Sequence, residues 1–203
     1  MKTRLLSTLL LGTALAQAQT NSTPLKVGDP IPDVTLRTEQ DTEVSLRKLV
    51  FEKPTVLIFY RGGWCPFCNR HLQSLAGIEK DLADAGLQLL AISMDQPSKL
   101  RETPHRDKLG YSLLSDSDAA AAKAFGIAFK VDDAIVERYK GYGINLEAAS
   151  GRSHHILPYP SVFIANTHGV IRFAHVNPDY KVRLEPEKIL EAARAAKAGT
   201  NVQ

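Results

Sequence analysis

The chain has 203 residues, of which 44% are hydrophobic and 23% charged, so it is long enough for one well-buried domain. The formal net charge of +3 falls to +1 without Lys2 and Arg4, and no basic tract remains that would favour nucleic-acid binding. Beyond the first residues, no apolar segment is long enough to cross a membrane, so we expect a mature protein without a membrane anchor.

The first 18 residues have the three regions of a secretory signal peptide. A positively charged start is followed by an uncharged, leucine-rich stretch at 5–16 and by the small-x-small sequence Ala16-Gln17-Ala18. The apolar stretch is too short to serve as a membrane anchor. We therefore expect export to the periplasm or the extracellular space. The alternative interpretation is a cytosolic protein with an apolar N-terminal helix.

Residues 19–33 read as a linker, and residues 34–198 as a single domain with alternating strands and helices. The predicted strands span 34–38, 43–46, 55–60, 87–94, 161–165 and 170–176. The predicted helices span 66–85, 119–125 and 185–196, with a short helix within 95–103 and an irregular segment at 130–158. Alternation in the first half predicts parallel strands, and the late hairpin adds antiparallel ones. The expected fold class is α/β, with a mixed central sheet flanked by helices.

The two cysteines of the chain, Cys65 and Cys68, stand three apart between a buried strand with a glycine turn and a predicted helix. A thiol at the first turn of a helix faces free backbone N–H groups and the positive end of the helix dipole, and both favour the reactive thiolate. A disulfide across so short a loop adds little stability, so reactivity explains the pair better than stapling. Cys65 is expected to attack and Cys68, one turn further on, to resolve the product as a disulfide.

Three neighbours of the cysteines are expected to support this chemistry. Pro66 suits the first helical position, where its missing N–H costs nothing. Trp64 is expected to shield one side of the reactive sulfur. Arg61 either adds positive charge near that sulfur or points to water, and the sequence leaves both open.

Tyr159-Pro160, just before the predicted strand at 161–165, is a further candidate for the site. A cis proline bond would expose the preceding carbonyl and side chain for contacts. An ordinary trans proline at the start of a strand is the other interpretation.

The same residues leave two alternatives to a redox enzyme. A copper-binding metallochaperone domain could combine the two thiols with His71, His154 or His155, although surface or loop histidines are the simpler interpretation. A redox-inert binding domain is the other alternative, and it leaves the spacing of the cysteines unexplained. No metal and no cofactor are expected.

Four segments in order resemble the thioredoxin-fold superfamily, and specifically its peroxiredoxin-like AhpC/TSA branch, over about residues 25–195. The opening VGDPIPDVTL, followed by TEVSL, resembles the branch's G-x-x-x-P-x-F-x-L entry, and TVLIFYRGGWCPFCNRHL resembles its active-site strand and helix. SDSDAAAAKAFGI resembles its helix ending in phenylalanine-glycine. LPYPSVFIANTHGVIRFAH resembles its late hairpin, with Pro160 at the thioredoxin-type cis-proline position.

The resemblance implies a thioredoxin-like fold and a thiol-disulfide enzyme in which Cys65 is the nucleophile and Cys68 resolves. The implied substrate is a hydroperoxide or a protein disulfide, and the implied partner is a thioredoxin-like reductant. A protein-disulfide reductase of the thioredoxin or TlpA type, without peroxidase activity, stays open.

The chain also departs from the family pattern. Peroxiredoxins carry a Pro at the position of Ile58, a Thr or Ser at that of Gly62 and an Arg at that of Pro160. Arg61 and Arg183 are the candidates to replace this arginine. The strand at 55–60 lacks the buried carboxylate with which thioredoxins move protons. Glu147, or a histidine of the 130–158 segment, is the sequence's candidate for that role.

Overall fold

The structure, a computed structural model, describes residues 23–198, so the predicted signal peptide and residues 19–22 of the linker lie outside it. The strands β1 to β9 span Thr35–Arg37, Glu43–Ser45, Thr55–Phe59, Gln88–Ser93, Ser112–Ser115, Ala128–Lys130, Ile156–Pro158, Ser161–Ala165 and Ile171–Val176. The helices α1 to α8 span Leu46–Glu52, Pro66–Ala76, Glu79–Asp84, Pro97–Arg101, Ala120–Ala124, Asp133–Gly141, Leu146–Ser150 and Pro186–Lys197. A 3-10 turn covers Arg106–Lys108.

A seven-stranded mixed sheet in the order β2-β1-β5-β4-β3-β8-β9 forms the centre of the domain. Strands β3, β4 and β5 are parallel, whereas β8 runs antiparallel to β3 and pairs with β9 as a hairpin. The predicted α/β class and mixed sheet are confirmed. Within residues 23–198, no helix has both the length and the apolar character needed to cross a membrane.

Strand β3, which lies between β4 and β8 inside the sheet, separates two layers of the core. All five of its residues are buried, because neighbouring strands and helices cover both of its edges and both of its faces. Val56 and Ile58 pack in one layer, with α2, α8 and both cysteines, while Leu57 and Phe59 pack in the other. This follows from the alternation of side chains along a strand. The cysteine motif follows β3 at its carboxyl end, where open α/β sheets place their active crevices.

The helix predicted at 66–85 is two helices. Helix α2 ends at Ala76, where the backbone N–H of Gly77 donates to carbonyls of the last turn. Helix α3 then begins at Glu79. Glycine is a weak helix former, which accounts for the interruption. Leu82 still packs in the same layer as α2, so the apolar periodicity continued across the break.

The prediction of an irregular segment at 130–158 is wrong. That segment holds α6 and α7, and its ends contribute to a two-stranded ribbon of β6 and β7. The glycines that suggested irregular structure mark the ends of short helices. Gly151 ends α7 in the left-handed conformation at a φ of 70°.

Phe163 of β8 lies at the centre of the layer opposite the cysteines, fully buried, with its ring 5.0 Å from that of Phe125 and 6.1 Å from that of Phe59. We expect Phe163→Ala to lower the free energy of unfolding by about 3–5 kcal/mol, because it removes buried apolar area and leaves a cavity. Phe51→Ala is the matched control, since Phe51 is 51% exposed. Denaturant unfolding measures both, and equal losses for the two variants would contradict the assigned core.

Candidate active site

The turn between β3 and α2 depends on the missing side chain of Gly62. A Cβ there would lie 2.4 Å from Nε1 of Trp64 and 2.6 Å from Oδ1 of Asp95. The next residue, Gly63, donates its backbone N–H to Oδ2 of Asp95 at 2.6 Å and accepts from Nδ2 of Asn69 at 2.7 Å. The turn that carries the first cysteine is therefore fixed from two sides.

Cys65 is the N-cap residue of α2. Its sulfur accepts the backbone N–H of Cys68 at 3.4 Å, the position that a serine oxygen occupies in an ordinary cap. Pro66 is the first helical residue, as predicted from its missing N–H. Both cysteines are free thiols and both are buried, Cys65 at 2% and Cys68 at 0% exposed.

Arg183 lies in the segment between β9 and α8 and reaches the second cysteine. Its Nη2 donates to the sulfur of Cys68 at 3.3 Å. Its Nη1 donates to the carbonyls of Tyr180 and Val182, which holds the guanidinium in place. Sequence reasoning named Arg183 only as a stand-in, because nothing in its own neighbourhood ties it to residues 115 positions earlier in the chain.

The two thiols share one proton unequally. Burial raises the pKa of Cys68, but the hydrogen bond from Cys65, the charge of Arg183 and the backbone N–H of Arg61 outweigh it and lower that pKa to about 6. The hydrogen bond to Cys68, together with burial, raises the pKa of Cys65 above that of an ordinary thiol. Within the reduced pair these contacts favour the thiolate on Cys68 over that on Cys65, whereas the helix position alone favours Cys65.

Arg61 is buried at 4% exposure and does not point to water. Its guanidinium carbon lies 4.9 Å from the ring centre of Trp64, 5.4 Å from that of Tyr139 and 4.5 Å from that of Tyr180. It also donates a hydrogen bond to the hydroxyl of Tyr139. These cation–π contacts place a fixed positive charge beside the cysteine turn, and that charge favours the ionised form of Cys65.

His71, one turn after Cys68, is buried, contrary to the expectation of a surface histidine. Burial and the neighbouring charge of Arg183 lower its pKa to about 4, so the ring is neutral at pH 7. Its Nε2 lies 3.2 Å from the carbonyl oxygen of Leu184, as a neutral ring that donates from Nε2 requires. His71 therefore packs beside the site and adds no charge to it.

The copper set considered from the sequence is not assembled. His154 contacts the carbonyl of Ser117 and His155 contacts Glu147, at 2.8 and 2.9 Å. Within residues 23–198, no three His, Cys, Asp or Glu side chains are grouped so that they could hold a metal ion. Glu147 is thereby engaged with His155, and no contact links it to the sulfurs.

Tyr159 and Pro160 lie apart from the two sulfurs. Tyr159 stacks on Phe129 at 4.6 Å between ring centres, and its carbonyl accepts from the hydroxyl of Ser161. Every peptide bond in the described part of the chain is trans, that before Pro160 included. Pro160 lines a small cavity together with His71 and Arg183, so it borders the site without touching a sulfur.

Comparison with known proteins fits this geometry. The model of the AhpC/TSA family matches residues 27–174. The chain belongs to the AhpC/TSA family. Peroxiredoxin Bcp of Escherichia coli K12 is 33% identical over 105 residues, 51% of this chain and 66% of the relative's length. The aligned part thus spans just under two thirds of that relative.

Solved structures share the fold of this AhpC/TSA protein. Peroxidoxin BcpB from Mycobacterium tuberculosis superposes with a TM-score of 0.66 at 21% identity, over 84% of this chain and 97% of that one. Reduced Prx3 from Vibrio vulnificus, solved in complex with hydrogen peroxide, superposes with a TM-score of 0.68 at 18% identity, over 83% and 99%. The expected thioredoxin-like, peroxiredoxin-type fold is confirmed.

We expect Arg183→Gln to raise the pKa of Cys68 towards the ordinary thiol value, because it removes a full positive charge 3.3 Å from the sulfur. The thiolate fraction at pH 7 should fall, while the hydrogen bond from Cys65 still keeps the pKa of Cys68 lower than it would be without that bond. Titration of the ultraviolet thiolate absorbance measures the shift. Arg183→Lys keeps the charge and should shift the pKa less, and Arg194→Gln, on the exposed face of α8, should leave it unchanged. An unaltered titration in Arg183→Gln would contradict the assigned role.

Proposed function

We propose that this AhpC/TSA protein is a thiol-dependent peroxidase whose Cys65 and Cys68 cycle between a dithiol and an intramolecular disulfide. The observation that carries the proposal is the sulfur of Cys68, held at the start of α2 between the guanidinium of Arg183 and the thiol of Cys65. A thiolate is the nucleophilic form of cysteine, and a second thiol one turn away is placed to capture the oxidised product.

The sequence predicted that Cys65 attacks first, and the structure's electrostatics favour the other order. The thiolate of Cys68 attacks a peroxide oxygen, so that an S–O bond forms, the O–O bond breaks and the alcohol or water leaves with one added proton. The product is a sulfenic acid on Cys68. The sulfur of Cys65 then attacks that of Cys68, so that an S–S bond forms and the S–O bond breaks with release of water. A thioredoxin-like dithiol would return the pair to the reduced state.

Burial of both sulfurs favours a hydroperoxide over a protein disulfide as the oxidant. Exposed fractions of 2% and 0% leave little surface on which a second protein's disulfide could reach either sulfur. A peroxide is small enough to enter after a local movement of the turn. Disulfide exchange with protein substrates, in the manner of a reductase without peroxidase activity, needs a larger opening of the same site.

Serine variants of the two cysteines test the function and the order of attack together. In stopped-flow mixing with hydrogen peroxide, Cys65→Ser should react once and stop at a sulfenic acid on Cys68, detected by dimedone and mass spectrometry. Cys68→Ser should react no faster than a free thiol. The wild-type rate should rise with pH through about 6 and level off above it, because the lowered pKa of Cys68 makes the thiolate available there.

Two results would decide against this proposal. A wild-type rate no faster than that of a free thiol would leave only disulfide exchange, which reduction of insulin disulfides would then measure. Rapid oxidation of Cys68→Ser, with Cys65→Ser unreactive, would restore Cys65 as the nucleophile.

We also propose that the protein is exported, on the leader-like pattern of residues 1–18 alone. The mass of the protein isolated from its native cells should then correspond to a chain that begins at Gln19. A chain that retains its first 18 residues would contradict export by a cleaved signal peptide.

A further inference from the structure

A buried carboxyl group that the sequence did not single out lies against the cysteine turn. Asp95 follows the carboxyl end of β4, the parallel neighbour of β3, and is 1% exposed. Its Oδ2 accepts the backbone N–H of Gly63 at 2.6 Å, two residues before Cys65. Its Oδ1 has no hydrogen-bond donor among the described residues and lies within 2.6 Å of the Cβ position excluded at Gly62.

Asp95 is not held by a salt bridge. The charge of Lys99 of α4 lowers the pKa of Asp95, but that ammonium group forms a salt bridge with Glu102 at 2.6 Å. An ionised carboxylate buried without a cation is unfavourable, so burial favours the protonated, neutral form of Asp95.

The charged and titratable groups around Asp95 come from α2, β3, α4 and the segment between α7 and β7, from which His154 and His155 line a small cavity together with Asp95. Cys68 faces it from α2, Tyr60 from the end of β3, and Lys99 and Glu102 from α4 and its C-terminal cap. Burial, and to a smaller extent the negative charge of Cys68, raise the pKa of Asp95 to about 7 against the hydrogen bond from Gly63. The carboxyl group and the Cys68 thiolate thus disfavour each other's charge.

This repulsion exists in only one redox state of the pair. Oxidation converts a thiolate and a thiol into a neutral disulfide, so the negative charge that opposes ionisation of Asp95 disappears. The reaction of one thiolate, one thiol and one hydroperoxide also consumes one proton, which ends on the alcohol or water. The site therefore needs a proton at the moment when Asp95 becomes more acidic.

We propose that Asp95 is the proton reservoir of the dithiol site, protonated beside the reduced pair and ionised beside the disulfide. The inference rests on the proposed dithiol–disulfide cycle. On oxidation the carboxyl proton meets the demand of the departing oxygen, and on reduction the carboxylate takes a proton back. No hydrogen bond joins the carboxyl group of Asp95 to a sulfur. Its protonation responds to the charge on Cys68, so Asp95 acts through that residue and is not itself a catalytic residue. Asp95 lines a cleft of about 310 Å³ together with Gly63 and Trp64, and this cleft is the proton's route to solvent in the proposal.

The test counts protons taken from solution per disulfide formed, in weakly buffered protein with an indicator dye at pH 7. Wild-type protein should take up fewer protons than Asp95→Asn, by at most roughly half a proton per disulfide, because the Asp95 that is protonated beside the reduced pair supplies its own proton. The difference should vanish well above pH 7, where Asp95 is ionised in both redox states. Asp116→Asn is the matched control, since Asp116 is a buried carboxyl that caps α5 away from the sulfurs. It should match the wild type.

Oxidised glutathione serves as a second oxidant, because disulfide formation by it consumes the same single proton. A proton count with glutathione tests Asp95 even if the protein fails to react with hydrogen peroxide, so failure of the proposed peroxidase is distinguishable from failure of this inference. Equal proton uptake by wild type and Asp95→Asn at pH 7, with disulfide formed in both, would overturn the role of Asp95.

Infrared difference spectra of the wild type keep the inference testable if Asp95→Asn does not fold. Oxidation at pH 7 should weaken the carbonyl-stretch band of a protonated buried carboxyl. The Asp116→Asn variant should show the same change. A spectrum without any change in protonated carboxyl on oxidation would contradict the proposal.

Discussion

The hydrogen bond from Arg183 to the sulfur of Cys68 is the interaction on which the chemistry of this site depends. It brings a full positive charge within 3.3 Å of the buried Cys68 thiol, whose proton would otherwise be retained because burial disfavours the thiolate. With Cys65 as a second donor, the pair keeps one proton and one negative charge. A nucleophile and a resolving thiol are thereby assigned by their surroundings, although the two side chains are chemically identical.

The fold supplies this arrangement from separate parts of the chain. Strand β3 and the turn at Gly62 set the start of α2, and the segment after the β8–β9 hairpin brings Arg183 over the same helix turn. Asp95 arrives on the neighbouring parallel strand, at the same edge of the sheet. Membership of the AhpC/TSA family and the peroxiredoxin-type fold agree with this layout, while the cation at Cys68 comes from a segment that the family pattern did not indicate.

The local features of the site were predictable from the sequence, and its long-range features were not. Cys65 as the cap, Pro66 at the first helical position and a buried strand before them follow from spacing and propensity. The helix position predicted charge on Cys65 because it counts partial charges of the backbone. The hydrogen bond from Cys65 and the full charge of Arg183 outweigh these partial charges at Cys68. Arg183 reaches Cys68 only through the tertiary fold.

Asp95 was within reach of sequence reasoning, since a carboxylate directly after a buried parallel strand belongs at the edge where active crevices form. Thioredoxins carry such a carboxylate in the strand that corresponds to β3, so the family pattern gave no indication of the residue after β4. Glycine-rich spacing in that segment concealed two helices and two strands, because glycines that end short elements resemble those of a loop.

The most direct test of the account is a pH titration of both cysteines by NMR, following the Cβ chemical shift of each in the reduced wild-type protein. The account predicts that Cys68 loses its proton near pH 6 while Cys65 stays protonated through neutral pH. Loss of the first proton from Cys65, with Cys68 still protonated at neutral pH, would contradict it.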